Sequence, residues 1–271
     1  MNNSLSRAEI ISSLEAILSA RHDSQSDKVE SLIQSTVTVN NKSLQRDEFI
    51  AQLRSDVDNN DISAKVDSYV VDIDAQAIAA RVIGIEASVA QHQEITLAWF
   101  KDGQLSAIKS LQDNDARRAK EPSATETPAY LLENVNSMNI DLGPIYHDYI
   151  KSINDKTMET TFEQFCKPVV THNTHEKTIA EYISLIQESQ EAIQGLHFDI
   201  QDLLVDKESG RVAARLEFTG VPVKTWAGAE PSGQAVKFHE HVMYWFDEGK
   251  IHWVWSIVDL DTYREQCRSQ R

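Results

Sequence analysis

The sequence predicts an α+β protein made of two tandem copies of one domain, and three observations predict it. Three blocks of residues recur in the same order in both halves, helical periodicity precedes extended runs in each half, and each half closes on the same kind of hairpin. The first block is Val37-Thr38-Val39-Asn40 with Asp47-Glu48-Phe49-Ile50. It returns 133 residues later as Val170-Thr171-His172-Asn173 with Ala180-Glu181-Tyr182-Ile183. The second pairs Val71-Asp72 and Ala79-Ala80-Arg81 with Val205-Asp206 and Ala213-Ala214-Arg215, at an offset of 134. The third pairs Glu94, Trp99-Phe100, Gly103, Ser110 and Asp113 with Glu240, Trp245-Phe246, Gly249, Ser256 and Asp259, at an offset of 146. The jump in offset places an insertion in the second copy between Thr219 and Gln234, where Pro222, Gly228, Pro231 and Gly233 mark a loop. The copies are therefore expected over 1–113 and 143–271, joined by a polar, proline-bearing linker over 114–142.

Each element follows in order. Ile10, Ile11, Leu14, Ile17 and Leu18 fall at helical spacing and predict an amphipathic helix over Glu9–Ala20, matched by Ile145–Ile153. Shorter helical stretches follow at Asp27–Gln34 and Glu159–Phe165, brief strands at Thr36–Val39 and Val169–His172, and helices at Arg46–Arg54 and Ile179–Gln194. Extended runs come next, Ser63–Asp72 with Phe198–Asp206 and Ile78–Ala87 with Val212–Gly220. The last pair of strands turns at Lys101-Asp102-Gly103 and at Asp247-Glu248-Gly249, where glycine accepts positive φ. The final strand is apolar on both sides: Ile251, Trp253, Trp255 and Ile257 are expected on one face, Val254 and Val258 on the other. One face then covers the domain's own interior, and the other pairs the two copies.

Composition limits the function. The 271 residues carry 26 Lys and Arg against 42 Asp and Glu, a formal net charge of -16, so neither nucleic acid nor an anionic membrane is an expected partner. Two cysteines, Cys166 and Cys267, supply neither a disulfide framework nor a cysteine zinc site. No run approaches the ~20 apolar residues of a membrane span, and the expected setting is the reducing cytoplasm.

The run Val169-Val170-Thr171-His172-Asn173, then Glu181-Tyr182, then Asp247-Glu248-Gly249-Lys250-Ile251 leading into Trp255-Ser256-Ile257-Val258-Asp259, resembles SnoaL-like polyketide cyclases of the nuclear transport factor 2-like superfamily. The resemblance spans most of 143–265 and, more weakly, 5–113. It implies a cone-shaped α+β barrel in which a curved antiparallel sheet wraps helices around a deep pocket. Such domains commonly pair through the outer sheet face, which a tandem chain could do internally as a pseudo-dimer, a homodimer being the alternative. The resemblance also implies a pocket Asp and His that shuttle protons without a cofactor, at Asp259 and His172. The "H-W" often seen in the last strand of the family reads Val254-Trp255 here.

The second copy holds most of the candidate chemistry: His147, His172, His175, His197, His239, His241 and His252 against His22 and His92 in the first, and Trp226, Trp245, Trp253 and Trp255 against Trp99 alone. Val39 stands where the second copy has His172. The expected catalytic pair is His172 and Asp259, although Asp113 at the equivalent place leaves a strand-end cap as the bland reading of Asp259. His239 and His241 share one side of a strand and are expected as polar pocket groups. With His172 they would make a three-histidine metal centre, a lesser reading, and no metal is assigned. Tyr182, Trp226, Trp253 and Trp255 are the expected aromatic walls, with Trp226 in the inserted loop as a lid. The expected activity is cofactor-independent cyclisation, isomerisation or hydration of a small apolar carbonyl compound in the second copy. A non-catalytic module binding a small ligand or docking a protein is the alternative.

Overall fold

The computed structural model describes residues 4–21, 27–55, 62–86, 89–119, 124–133 and 140–269. The first half runs α1 (Arg7–Ser19), α2 (Asp27–Glu30), β1 (Ile33–Val39), β2 (Lys42–Gln45), α3 (Arg46–Ser55), β3 (Ile62–Asp72), β4 (Ala77–Glu86), β5 (Val89–Lys101), β6 (Gln104–Gln112) and α4 (Asn114–Ala119). A short α5 (Ala129–Leu132) lies in the connection. The second half repeats the order as α6 (Leu142–Asn154), α7 (Met158–Phe165), β7 (Cys166–His172), β8 (His175–Thr178), α8 (Ile179–Ala192), β9 (Ile193–Asp206), β10 (Arg211–Pro222), β11 (Val236–Asp247), β12 (Lys250–Val258) and α9 (Leu260–Ser269). His22, Ala87 and residues 120–123 and 134–139 of the expected linker lie outside the described residues.

Local chemistry sets the element ends. Ser6 and Glu9 form a reciprocal capping box at α1, and Thr178 and Glu181 form the same box at α8. Glu181 thereby serves the helix end while its neighbour Tyr182 turns inward and is buried. Both hairpins close on two residues at positive φ, Asp102 (53°) with Gly103 (80°) and Glu248 (51°) with Gly249 (75°), the geometry that suits the twist of antiparallel strands.

The two sheets have the same strand order, β2-β1-β6-β5-β4-β3 and β8-β7-β12-β11-β10-β9. They are mixed, not wholly antiparallel as expected: β1 runs parallel to β6, and β7 parallel to β12. No hairpin constrains either pair, because the rest of the sheet lies between them in sequence. Helices cover the concave face of each sheet, with Ile10, Leu14 and Ile17 in the first core and Tyr146, Tyr149 and Ile150 in the second.

The outer faces of the sheets meet. Val70, Ala79, Ile95 and Leu97 of the first half pack with Leu204, Met243, Trp245, Trp255 and Ile257 of the second in a separate apolar layer. The contact is reciprocal. Asp206 accepts the backbone N–H of Val71 at 3.0 Å, and Asp72 accepts that of Val205 at 3.0 Å, so each Val-Asp pair of the second repeated block binds its own counterpart. Such exchange of identical contacts marks a two-fold interface, here inside one chain. Arg7 adds a bidentate pair to Asp206 at 2.9 and 2.7 Å.

The expected faces of β12 need one correction. Trp253, Trp255 and Ile257 face the layer between the halves, and Val254 and Val258 face the second half's interior, but Ile251 also lies in that interior. The register slips between Trp245/Trp253 and Phe246/Ile251, and this bulge moves Ile251 to the other face. The described part of the connection packs onto the fold: Leu131 is fully buried in the layer, and Thr127 is buried against the first sheet.

Candidate active site

The second half encloses a cavity of about 150 Å³ between α6, α8 and the concave face of its sheet. Tyr149, Tyr182 and Tyr244 form one wall, and Phe198, Phe218 and Trp226 another. Trp226 reaches this wall because the inserted loop folds on itself, with Trp226 and Ala229 exchanging backbone hydrogen bonds at 3.0 and 2.9 Å. Its ring then packs edge-on to Tyr263 of α9 at 5.1 Å, which makes it a fixed part of the wall.

Three polar features face this apolar space. His172, at the end of β7, borders the cavity 5.7 Å from the ring of Tyr182. Desolvation, helped by Lys177 and His175, brings its pKa down to about 4, so it is neutral at physiological pH. The hydroxyls of Tyr149 and Tyr182 share a hydrogen bond of 2.9 Å. The third feature is Glu240, midway along β11. Burial pushes its pKa up to about 7, opposed only by the Ser256 hydroxyl that donates to it, and no cation pairs with it among the described residues.

Glu240 is absent from the sequence-derived set, yet the signal was present. If His239 and His241 share one side of β11, the residue between them takes the other. The structure places both histidines away from the cavity. His241 is buried between the halves, its Nδ1 at 2.8 Å from the Ile95 carbonyl, and His239 lies 3.3 Å from Glu217. The three imidazoles of the conceivable metal centre thus stand on opposite faces of the sheet. Trp253 and Trp255 belong to the layer between the halves and not to the cavity wall. Asp259 lies outside the cavity: its carboxylate accepts the Thr262 N–H at 3.0 Å and the Thr262 hydroxyl at 2.7 Å, capping α9. Asp113 does the same for α4 through Ala116, which accounts for the duplicated aspartate.

The first half has a cavity at the equivalent place, bordered by Val39 where the second has His172 and by Glu94 where the second has Glu240. Glu94 is held differently. Burial would raise its pKa, but a bidentate pair with Arg21 at 2.9 Å, with Thr96 and Gln112 adding donors, brings it down to about 2. One repeated glutamate is therefore locked as a carboxylate, and the other is poised between its two protonation states.

Residues 145–267 match the family model of the SnoaL-like polyketide cyclases. A solved SnoaL-like polyketide cyclase from Agrobacterium tumefaciens is 30% identical, over 47% of this chain and 98% of its own, with a TM-score of 0.44. The chain belongs to the SnoaL-like polyketide cyclase family. Its tandem arrangement repeats that α+β fold in two halves. TsrD from Streptomyces laurentii is also similar to this family member, at 18% identity over 48% of this chain and 98% of its own, with a TM-score of 0.44. For AclR from Streptomyces galilaeus the values are 18%, 47%, 96% and 0.41. No curated protein matches the chain. Among the described residues no helix is long and apolar enough to cross a membrane.

Proposed function

We propose that the cavity of the second half carries out acid/base chemistry on a small, largely apolar carbonyl compound, with Glu240 as the group that moves the proton. The observation that carries this reading is a carboxyl raised to about 7 in an aromatic cavity. A group with that pKa takes a proton from an activated carbon and returns it at neutral pH with little penalty in either direction. The Tyr149–Tyr182 hydroxyl pair supplies a hydrogen-bond donor for the enolate oxygen that forms when the proton leaves. His172, neutral and at the cavity edge, is the second polar contact to the substrate. Tyr182 and Trp226 provide surfaces for a planar substrate, and Ser256 holds the Glu240 carboxyl in place. Proton removal and return at carbon is the step that aldol cyclisation and isomerisation share, which agrees with the family. In the same reading residues 143–271 hold the working cavity and residues 1–113 serve as its fused partner.

The test is exchange of the α-protons of an aryl 1,3-diketone, benzoylacetone, in deuterated buffer, followed by proton NMR. The chain is expected to accelerate exchange, and Glu240→Gln to lower the catalysed rate by ~10²-fold or more. Bound but unexchanged diketone would favour a non-catalytic binding module, and full exchange by Glu240→Gln would remove Glu240 from its role.

A further inference from the structure

The two-fold relation between the halves makes Arg81 and Arg215 equivalent, yet their surroundings differ. Arg81 is fully buried and well held: its Nε donates to Gln93 at 2.8 Å, its Nη1 to Asp67 at 2.7 Å and to the Thr125 carbonyl at 3.0 Å. Its guanidinium lies 3.5 Å from the centre of the Trp255 ring. The connecting segment seals this side, with the Thr127 N–H and hydroxyl donating to Asp67 and the Trp255 indole N–H donating to Thr127.

On the other side Lys109 replaces Trp255 and His239 replaces Gln93, each 146 residues from its counterpart. No described residue of the connecting segment borders that side. The Arg215 side chain is only 8% exposed, but its nearest anion is Asp202 at 3.6 Å, and it makes no hydrogen bond to any described residue. Asp202 is taken by Lys109 at 2.7 Å, whose side chain is 16% exposed. Arg215 borders the space between the halves, where a ligand's oxygens would satisfy guanidinium donors that no described residue accepts. That space is a cavity of about 210 Å³ between the halves, bordered by Asn40, Lys109, Arg215, His239, His241 and Asp259. Asp259 also borders it, its oxygens accepting from Thr262 at the first turn of α9, while Lys109 and Arg215 bring cationic donors.

We propose that this seam cavity is a binding site for a small oxyanion, a carboxylate or phosphate group held between Arg215 and Lys109. The pairing follows from geometry: a planar fork that grips two oxygens at once lies beside a compact ammonium. The net charge of -16 repels anions from the molecule as a whole, so binding requires this local pair and not the general field. The site is separate from Glu240, which lies on the opposite face of the sheet.

Calorimetric titration of the full chain with inorganic phosphate and, separately, with malonate tests the proposal. Saturable binding of one anion per chain is expected, with the tighter arm naming the head group as phosphate or carboxylate. Lys109→Gln and Arg215→Gln should each weaken it by about tenfold or more, and Glu240→Gln should bind as the parent does. Should Arg215→Gln fail to fold, the better exposed Lys109→Gln decides. Absence of saturable binding by both anions, or unchanged affinity in Lys109→Gln, overturns the proposal.

Discussion

Glu94 and Glu240 show how far one residue type can be driven apart by its neighbours. In the first half the Arg21 guanidinium outweighs burial, and in the second no described residue of opposite charge does. The consequences for stability have opposite signs. Glu240 binds its proton more tightly folded than unfolded, so its contribution is complete below pH ~4.5 and declines as pH rises through about 7. Glu94 contributes fully above pH ~4.5 and loses that contribution as pH falls toward about 2. Glu240→Gln is therefore expected to raise stability at pH 8 by on the order of 1 to 2 kcal/mol and to change little at pH 4, read from urea midpoints at the two pH values. Arg21→Gln should destabilise at pH 7, by ~3 kcal/mol, because it leaves a buried carboxylate unpaired, and urea midpoints at pH 7 would measure it. The repeated glutamate was visible in the sequence as part of the third block. Its divergence was not, because Arg21 lies 73 residues from Glu94 and only the fold brings them together.

At the scale of elements, repeated aspartates at strand ends turned out to start helices. Asp113 caps α4 and Asp259 caps α9, so Asp259→Ala should cost ~1 kcal/mol in thermal stability and leave α-proton exchange within about twofold of the parent. A loss of exchange as large as that expected for Glu240→Gln would return Asp259 to the catalytic machinery. The longer helices, the final hairpin of each half and the succession of extended runs were legible because periodicity and turn glycines are local signals, whereas β2, β8, α4 and α9 went unread and the helix expected over Asp27–Gln34 stops at Glu30. The β12 bulge was not legible, since it depends on the register that β11 imposes and it alone moves Ile251 across the sheet. The same limit explains the tryptophans: alternation correctly put Trp253 and Trp255 on one face, but alternation does not say which face is the cavity. The connecting segment read as polar tether because its described apolar anchors, Ala116, Ala124 and Leu131, are small or isolated among polar residues.

For the whole molecule, the layer between the sheets is a third apolar cluster that joins the two cores. Trp255 fills it, stacks under Arg81 and donates to Thr127, so Trp255→Ala is expected to cost ~3 to 5 kcal/mol and to loosen both halves together, seen as one coincident unfolding transition at lower denaturant. A fragment of residues 143–271 alone exposes Met243, Trp245, Trp253 and Trp255, and should sediment as a dimer or larger species and not as a monomer.

The reciprocal binding of Asp72 and Asp206 has a consequence for what mutation can reach. In an assembly of two identical chains every substitution is made twice, so a change that helps one side of the contact is forced on the other. Joining the copies in one chain removes that doubling. An indole at position 255 can then face an arginine on one side while an ammonium at position 109 faces the equivalent arginine on the other, a pairing no symmetric dimer can encode. Fusion also fixes the ratio of the two halves at one to one without any need for specific partner choice.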